Sequence, residues 1–185
     1  GLANRRAFDV ELEHAVRHAR RYGDGVAVVY LDLDGFKPVN DLHGHAAGDR
    51  VLAEVAARIT TLLRPTDLAA RVGGDEFCVL LPRIEGDSVA DAVRLAEAMV
   101  RALAEPFELG AASKADARSV VCGSSAGVAV FGEGESAESL LARADEAMYA
   151  AKATGKMRVV LAPVAGPVSG REARGPSVRA EGGAR

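Results

Sequence analysis

Val26-Ala-Val-Val-Tyr-Leu31 is a near-continuous apolar run rich in β-branched residues. An alternating chain that is apolar at every position is covered on both faces, so the run reads as a buried central strand. Asp32 and Asp34 close it. Two residues apart, they point to the same side of an extended chain. Lys37, Asn40, His45 and Asp49 follow in a stretch that reads as a glycine-punctuated loop. Open sheets place ligand sites at strand ends and in the loops after them. Taken singly, an Asp is a helix cap and an Asn a turn former. So many distinct polar groups in one short stretch point to a site.

A second constraint is Arg71-Val-Gly-Gly-Asp-Glu-Phe77, between the strand-like runs Leu68–Val72 and Phe77–Leu81. Gly-Gly between such runs signals a tight hairpin, because glycine reaches positive φ without steric cost. Adjacent carboxylates at a bare tip can hold a hard cation and admit a bulky ligand. A solvated turn has the same composition, so on this segment alone both readings stand.

The remaining pattern supplies covering layers. Helices are expected over residues 4–22, over Asp49–Leu63 with Pro65 ending it, over 88–104, and over Ser136–Thr154 with Gly155 as C-cap. Phe107–Val130 reads as strands broken by a polar loop at Ala111–Ala117, and Met157–Leu161 as a closing strand. The order implies an α/β (α+β) fold, a mixed sheet with helices on its faces. A chain of 185 residues suffices for one domain. The expected domain is 1–161; 162–185, rich in Gly, Pro, Ala, Ser, Arg and Glu, reads as a disordered tail or linker. Net charge −3 offers no basic field for nucleic acid. Cys78 and Cys122 lie in apolar surroundings and suit reduced core thiols of a cytoplasmic protein. No bilayer-length apolar run or signal peptide is present.

Gly1-Leu-Ala-Asn-Arg-Arg-Ala-Phe8, Asp32–Asp49, Arg64-Pro-Thr-Asp67, Gly73-Gly-Asp-Glu-Phe77, Ser125-Ala-Gly127 and Ala144–Lys152 together resemble the GGDEF family, the diguanylate cyclases, in order and spacing. The resemblance implies a palm-like βαββαβ sheet, as in nucleotidyl cyclases and polymerases. It implies condensation of two GTP into cyclic di-GMP, with two pyrophosphates released. It also implies a homodimer in which each domain presents one GTP. The family's usual Asp-x-Leu-Thr ahead of Gly1 is missing. The expectation is therefore a fragment of a parent with sensory, EAL-type phosphodiesterase or membrane-anchoring segments.

The resemblance also distributes roles. Magnesium, two ions per site with manganese as a possible substitute, would be held by Asp32, Asp75 and the Leu33 carbonyl. Asp75 is the usual assignment for proton acceptor, with metal-lowered acidity of the hydroxyl as the alternative; Glu76 joins it in catalysis or as a further ligand. Lys37 suits transition-state charge. Asn40 and Asp49 fit guanine, since a carboxylate accepts from both N1–H and the 2-amino group. His45 matches a substrate contact; His43-x-His45 has no third soft ligand nearby, so zinc is not expected. Lys152 and Lys156, read as following the last helix, would contact the triphosphate. Lys156 replaces a usual Arg and loses its fork, and Met157 replaces a usual Asn. Phe36 and Leu42 are expected to pack. Arg64 and Asp67 match the product-inhibition motif, with Arg94 as the second arginine; without the resemblance, Arg64 would read as a helix-terminal cation. The alternative function is an inactive module that senses GTP or cyclic di-GMP. A mononucleotide cyclase would share the fold but lack Gly-Gly-Asp-Glu-Phe.

Overall fold

The computed structural model describes residues 1–84, 88–109 and 119–164. The loop expected at Ala111–Ala117 and the tail from 165 onward lie outside these residues. The apolar run forms the centre of β2 (Gly25–Asp34). Its alternate residues enter two separate cores: Ala27, Val29 and Leu31 on one face, Val26, Val28 and Tyr30 on the other. That double burial is why the run is continuously apolar.

The sheet order is β1 (Ala3–Asn4), β3 (Leu68–Arg71), β4 (Glu76–Ile84), β2, β7 (Gly123–Val130), β8 (Val159–Leu161). β2 pairs antiparallel with β4 and β7. One face is covered by α1 (Arg5–Tyr22) and α5 (Ala137–Ala153), the other by α2 (Phe36–His43), α3 (His45–Thr61) and α4 (Ser88–Ala104). The run β2-α3-β3-β4-α4-β7 is the expected βαββαβ unit. β5 (Phe107–Glu108) and β6 (Ser119–Val120) form a separate ribbon. Helix α5 packs directly on β7 because Gly127 has no side chain: a Cβ there would lie 2.0 Å from the Ala144 carbonyl oxygen.

Several expectations change. The segment read as a loop folds as α2 and the first turn of α3, joined at Gly44 with φ 80°. Two buried positions, Phe36 and Val39, are too few to show a period. Leu42 is 78% exposed and does not pack. Helix α3 ends at Thr61, ahead of Pro65, where the Thr60 and Thr61 hydroxyls bond back to the Ala56 and Arg58 carbonyls. The cap of α5 is Thr154, with Gly155 next at φ 122°. Lys152 lies inside α5, in its last turn. β8 starts at Val159 rather than Met157. Packing continues past Leu161: Ala162 is buried and its N–H donates to Val128.

Candidate functional site

The site begins where β2 ends. Asp32 is buried and pairs in register with Glu76 on β4 and Ser125 on β7. Lys152 reaches it from α5, with Nζ 2.6 Å from Oδ1. The hairpin tip is fastened alongside: the Leu33 N–H donates to the Asp75 carbonyl at 3.1 Å, and Arg71 donates to the Gly74 carbonyl at 2.6 Å. Thus Asp32, Asp75, Glu76, Lys152 and the Leu33 main chain form one cluster.

The glycines of this hairpin act through space rather than through φ. Neither Gly73 nor Gly74 has positive φ. A Cβ on Gly73 would lie 2.1 Å from Glu76 Oε2, so the bare glycine makes room for that carboxylate. The expectation of a positive-φ turn is corrected on this point.

The carboxylates disfavour one another. Burial raises the Asp32 carboxyl above its usual value; Lys152 offsets part of this, while Asp75 and Asp34 add to it. Burial also raises Glu76, followed by the charges of Asp32, Asp145 and Asp75. The Cys122 thiol is pushed up to about 11 by burial and then by Asp34, Asp75 and Asp32. It is inert rather than nucleophilic.

A divalent cation would relieve this crowding. Among the described residues, no group of three or more His, Cys, Asp and Glu side chains is arranged to hold a metal ion by itself. Two carboxylates, a carbonyl, waters and substrate phosphate form the open, oxygen-only set that magnesium accepts. The residues fit the ion.

A second cluster lies on α2 and α3. A Cβ on Gly48 would meet Asn40 Oδ1 at 1.9 Å, so Gly48 gives the Asn40 amide its place. The exposed Asp49 follows it and shares a cavity of about 300 Å³ with Leu2, Arg71 and Phe77. Lys37 and His45 are exposed in the first turns of α2 and α3. Lys156 is exposed in the turn after α5, and its N–H donates to Ala151.

Arg64 and Asp67 lie at the opposite end of β3 from Gly73. The Arg64 N–H donates to Asp67 Oδ2 at 2.9 Å. Both line a cavity of about 160 Å³ with Asp91. Arg94 is ion-paired to Asp91 but does not itself line that cavity.

Sequence reasoning gave no individual role to Gly48, Arg71, Asp145 or Asp34. For Asp34 a signal existed, its i+2 spacing from Asp32.

The diguanylate cyclase GGDEF domain profile matches residues 1–158. The chain belongs to the GGDEF family. MucR of Pseudomonas aeruginosa, a bifunctional diguanylate cyclase/cyclic di-GMP phosphodiesterase, is 42% identical over 156 residues, covering 84% of this chain and 22% of MucR. The crystal structure of the GGDEF domain of TpbB (YfiN) from the same species superposes with TM-score 0.81 at 38% identity, covering 89% of this chain and 99% of that one. The coiled coil and GGDEF domain of DgcB from Caulobacter crescentus, in complex with c-di-GMP, gives TM-score 0.79 at 34% identity, with 87% and 82% covered. The mixed sheet flanked by helices is thus the family's fold. The chain spans about a fifth to a third of the length of the curated relatives it matches. Divalent-metal dependence is general to GGDEF cyclases. Among the described residues, no helix of this GGDEF domain is long and apolar enough to cross a membrane.

Proposed function

We propose that this GGDEF domain is an active diguanylate cyclase that condenses two GTP into cyclic di-GMP. The observation that carries the reading is the convergence of Asp32, Asp75 and Glu76 with Lys152 at one end of the sheet, where burial and mutual repulsion raise Asp32 and Glu76. Asp32, Asp75 and the Leu33 carbonyl would hold two magnesium ions, or manganese in their place, which would supply charge neutralisation at the phosphates and acidity at the attacking hydroxyl. Lys37, Lys152 and Lys156 bind the triphosphate. Asn40 and Asp49, aided by His45, read guanine. Asp75, with Glu76 beside it, accepts the 3′-hydroxyl proton. The 3′-oxygen then bonds to the α-phosphorus of the second GTP as the bond to pyrophosphate breaks. The step repeats in the other direction, so two domains face each other as a homodimer. MucR's bifunctional description and the c-di-GMP held by DgcB support the product and an EAL-type neighbour in a longer parent.

Incubation with GTP and magnesium, with product identified by mass, tests this. Asp75→Ala is expected to abolish product and leave the fold intact. Product formation by that variant at the wild-type rate removes the assignment. Binding of GTP or cyclic di-GMP without turnover would leave the sensing module.

Arg64 and Asp67, with Arg94, are proposed as a product-inhibition site. Residues 67–73, extended at about 3.3 Å each, span about 20 Å. Product bound at the far end therefore acts by restraining domain motion or pairing, not by competition. Arg64→Ala is expected to raise accumulated product with an unchanged initial rate. Equal inhibition of both proteins by added cyclic di-GMP would reduce the motif to a helix end.

A further inference from the structure

Asp34 is a half-buried acid to which the reading above gives no role. It ends β2, two residues past Asp32, and its Oδ2 accepts from two sources. One is the Ser125 hydroxyl at 2.8 Å. The other is the backbone N–H of Met157 at 3.1 Å, a residue 123 positions away. Its Oδ1 is buried and has no hydrogen-bond partner among the described residues.

The turn that Asp34 holds is under strain. Gly155, Lys156 and Met157 have φ of 122°, 60° and 48°. Among the described residues, Arg83 alone joins Lys156 and Met157 as a non-glycine at positive φ. Consecutive left-handed residues with side chains persist only where their surroundings over-determine them. Here the Lys156 N–H donates to Ala151 at 3.0 Å, and Met157 lies over Gly123, where a Cβ would come 2.6 Å from its Cγ. Arg158 adds two more ties, its Nε donating to the Lys156 carbonyl at 3.2 Å and its carbonyl accepting from the Ala126 N–H at 2.9 Å, and the Asp34 carboxylate accepts from Met157 across the end of β2.

We propose that Asp34 is a positioning residue: its carboxylate clamps the Gly155–Arg158 turn to the end of β2, so that Lys156 is presented to the triphosphate at a fixed distance from Asp32. The inference rests on the cyclase reading, because that reading gives Lys156 its target. It also explains why an acid is tolerated there with one oxygen unpaired. The other oxygen joins β2, which carries Asp32, to the turn that carries Lys156.

Two measurements decide it. Amide hydrogen exchange at Met157 reads the clamp without nucleotide. Protection is expected in wild type and in Asp34→Asn, which keeps an acceptor oxygen, and is expected to fall at least about tenfold in Asp34→Ala. KM for GTP and kcat then read the consequence. Asp34→Ala is expected to raise KM about 10- to 100-fold with a smaller change in kcat. Combined with Lys156→Ala, it should be no worse than Lys156→Ala alone. Met157→Asn, which adopts left-handed φ more readily, should recover part of the loss in Asp34→Ala. Equal Met157 protection in wild type and Asp34→Ala overturns the clamp. Multiplying effects of Asp34→Ala and Lys156→Ala overturn its purpose. If Asp34→Ala does not fold, Asp34→Asn decides: loss of Met157 protection in it overturns the clamp. Wild type that neither binds GTP nor forms product ends the cyclase reading and the positioning role with it, while the exchange result still decides the clamp.

Discussion

Asp32 and Glu135 are both buried carboxylates, 6% and 3% exposed, and each meets a cation carried by α5. Their surroundings are opposite. Glu135 accepts from Arg143 through both oxygens, at 2.7 and 2.6 Å, and also from the Gly132 N–H and the Ser139 hydroxyl. Burial alone would raise its carboxyl, but these donors outweigh it and hold the group below its usual 4.5. Arg143 donates further to the Val130 and Pro163 carbonyls. Asp32 has one lysine and acids on either side, and its carboxyl is raised. One buried acid is built to stay ionised within the protein. The other lacks such donors, and under the proposed cyclase reading a divalent cation would take their place. Burial by itself therefore does not identify a functional carboxylate; the balance of donors around it does.

The sharpest way to break this contrast is to remove Glu135. Glu135→Ala leaves the largely covered Arg143 without its ionic partner and is expected to cost about 3 kcal/mol of stability, read by denaturant unfolding. Activity per folded molecule should be unchanged. A stable Glu135→Ala would mean the pair is dispensable and the contrast is empty.

Asp32→Asn should do the reverse. Turnover is expected to fall by about 10²–10³-fold, while the melting temperature stays level or rises, because an ionised group disfavoured by the fold is gone. Parallel loss of stability and activity would make Asp32 a structural acid like Glu135.

The smallest effect is in pH. A depressed carboxyl such as Glu135 contributes stability that is present above its unfolded value of 4.5 and lost as pH falls through its folded value. The raised carboxyls of Asp32 and Glu76 have the opposite sign. Their ionisation costs stability that appears as pH rises through their folded values and is relieved in acid. Thermal melts should therefore show the advantage of wild type over Glu135→Gln shrinking below pH 4.5, and any advantage of Asp32→Asn shrinking as well. An advantage over Glu135→Gln that grows in acid would reverse the assigned sign.

What could be read in advance divides by distance along the chain. The β2 run, the helices α1, α3, α4 and α5 and the hairpin were expected from local patterns, and all formed. Helix α2 escaped because eight residues with two buried positions carry too little period. Gly73 was recognised as necessary for the wrong reason: its space is filled by Glu76, and an occupied volume leaves no trace in the order of residues.

The sequence by itself determined the family and all of the long elements, and named the residues whose chemistry the cyclase reading uses, because periodicity, turn composition and side-chain type are properties of short stretches. Only the tertiary structure decided which acid is satisfied and which is not. Lys152 meets Asp32 from α5, and Met157 meets Asp34 across the sheet, over separations that no local pattern encodes. A carboxylate's charge state follows from the donors and acids that packing places within a few ångströms of it, and those neighbours exist only once the sheet has closed.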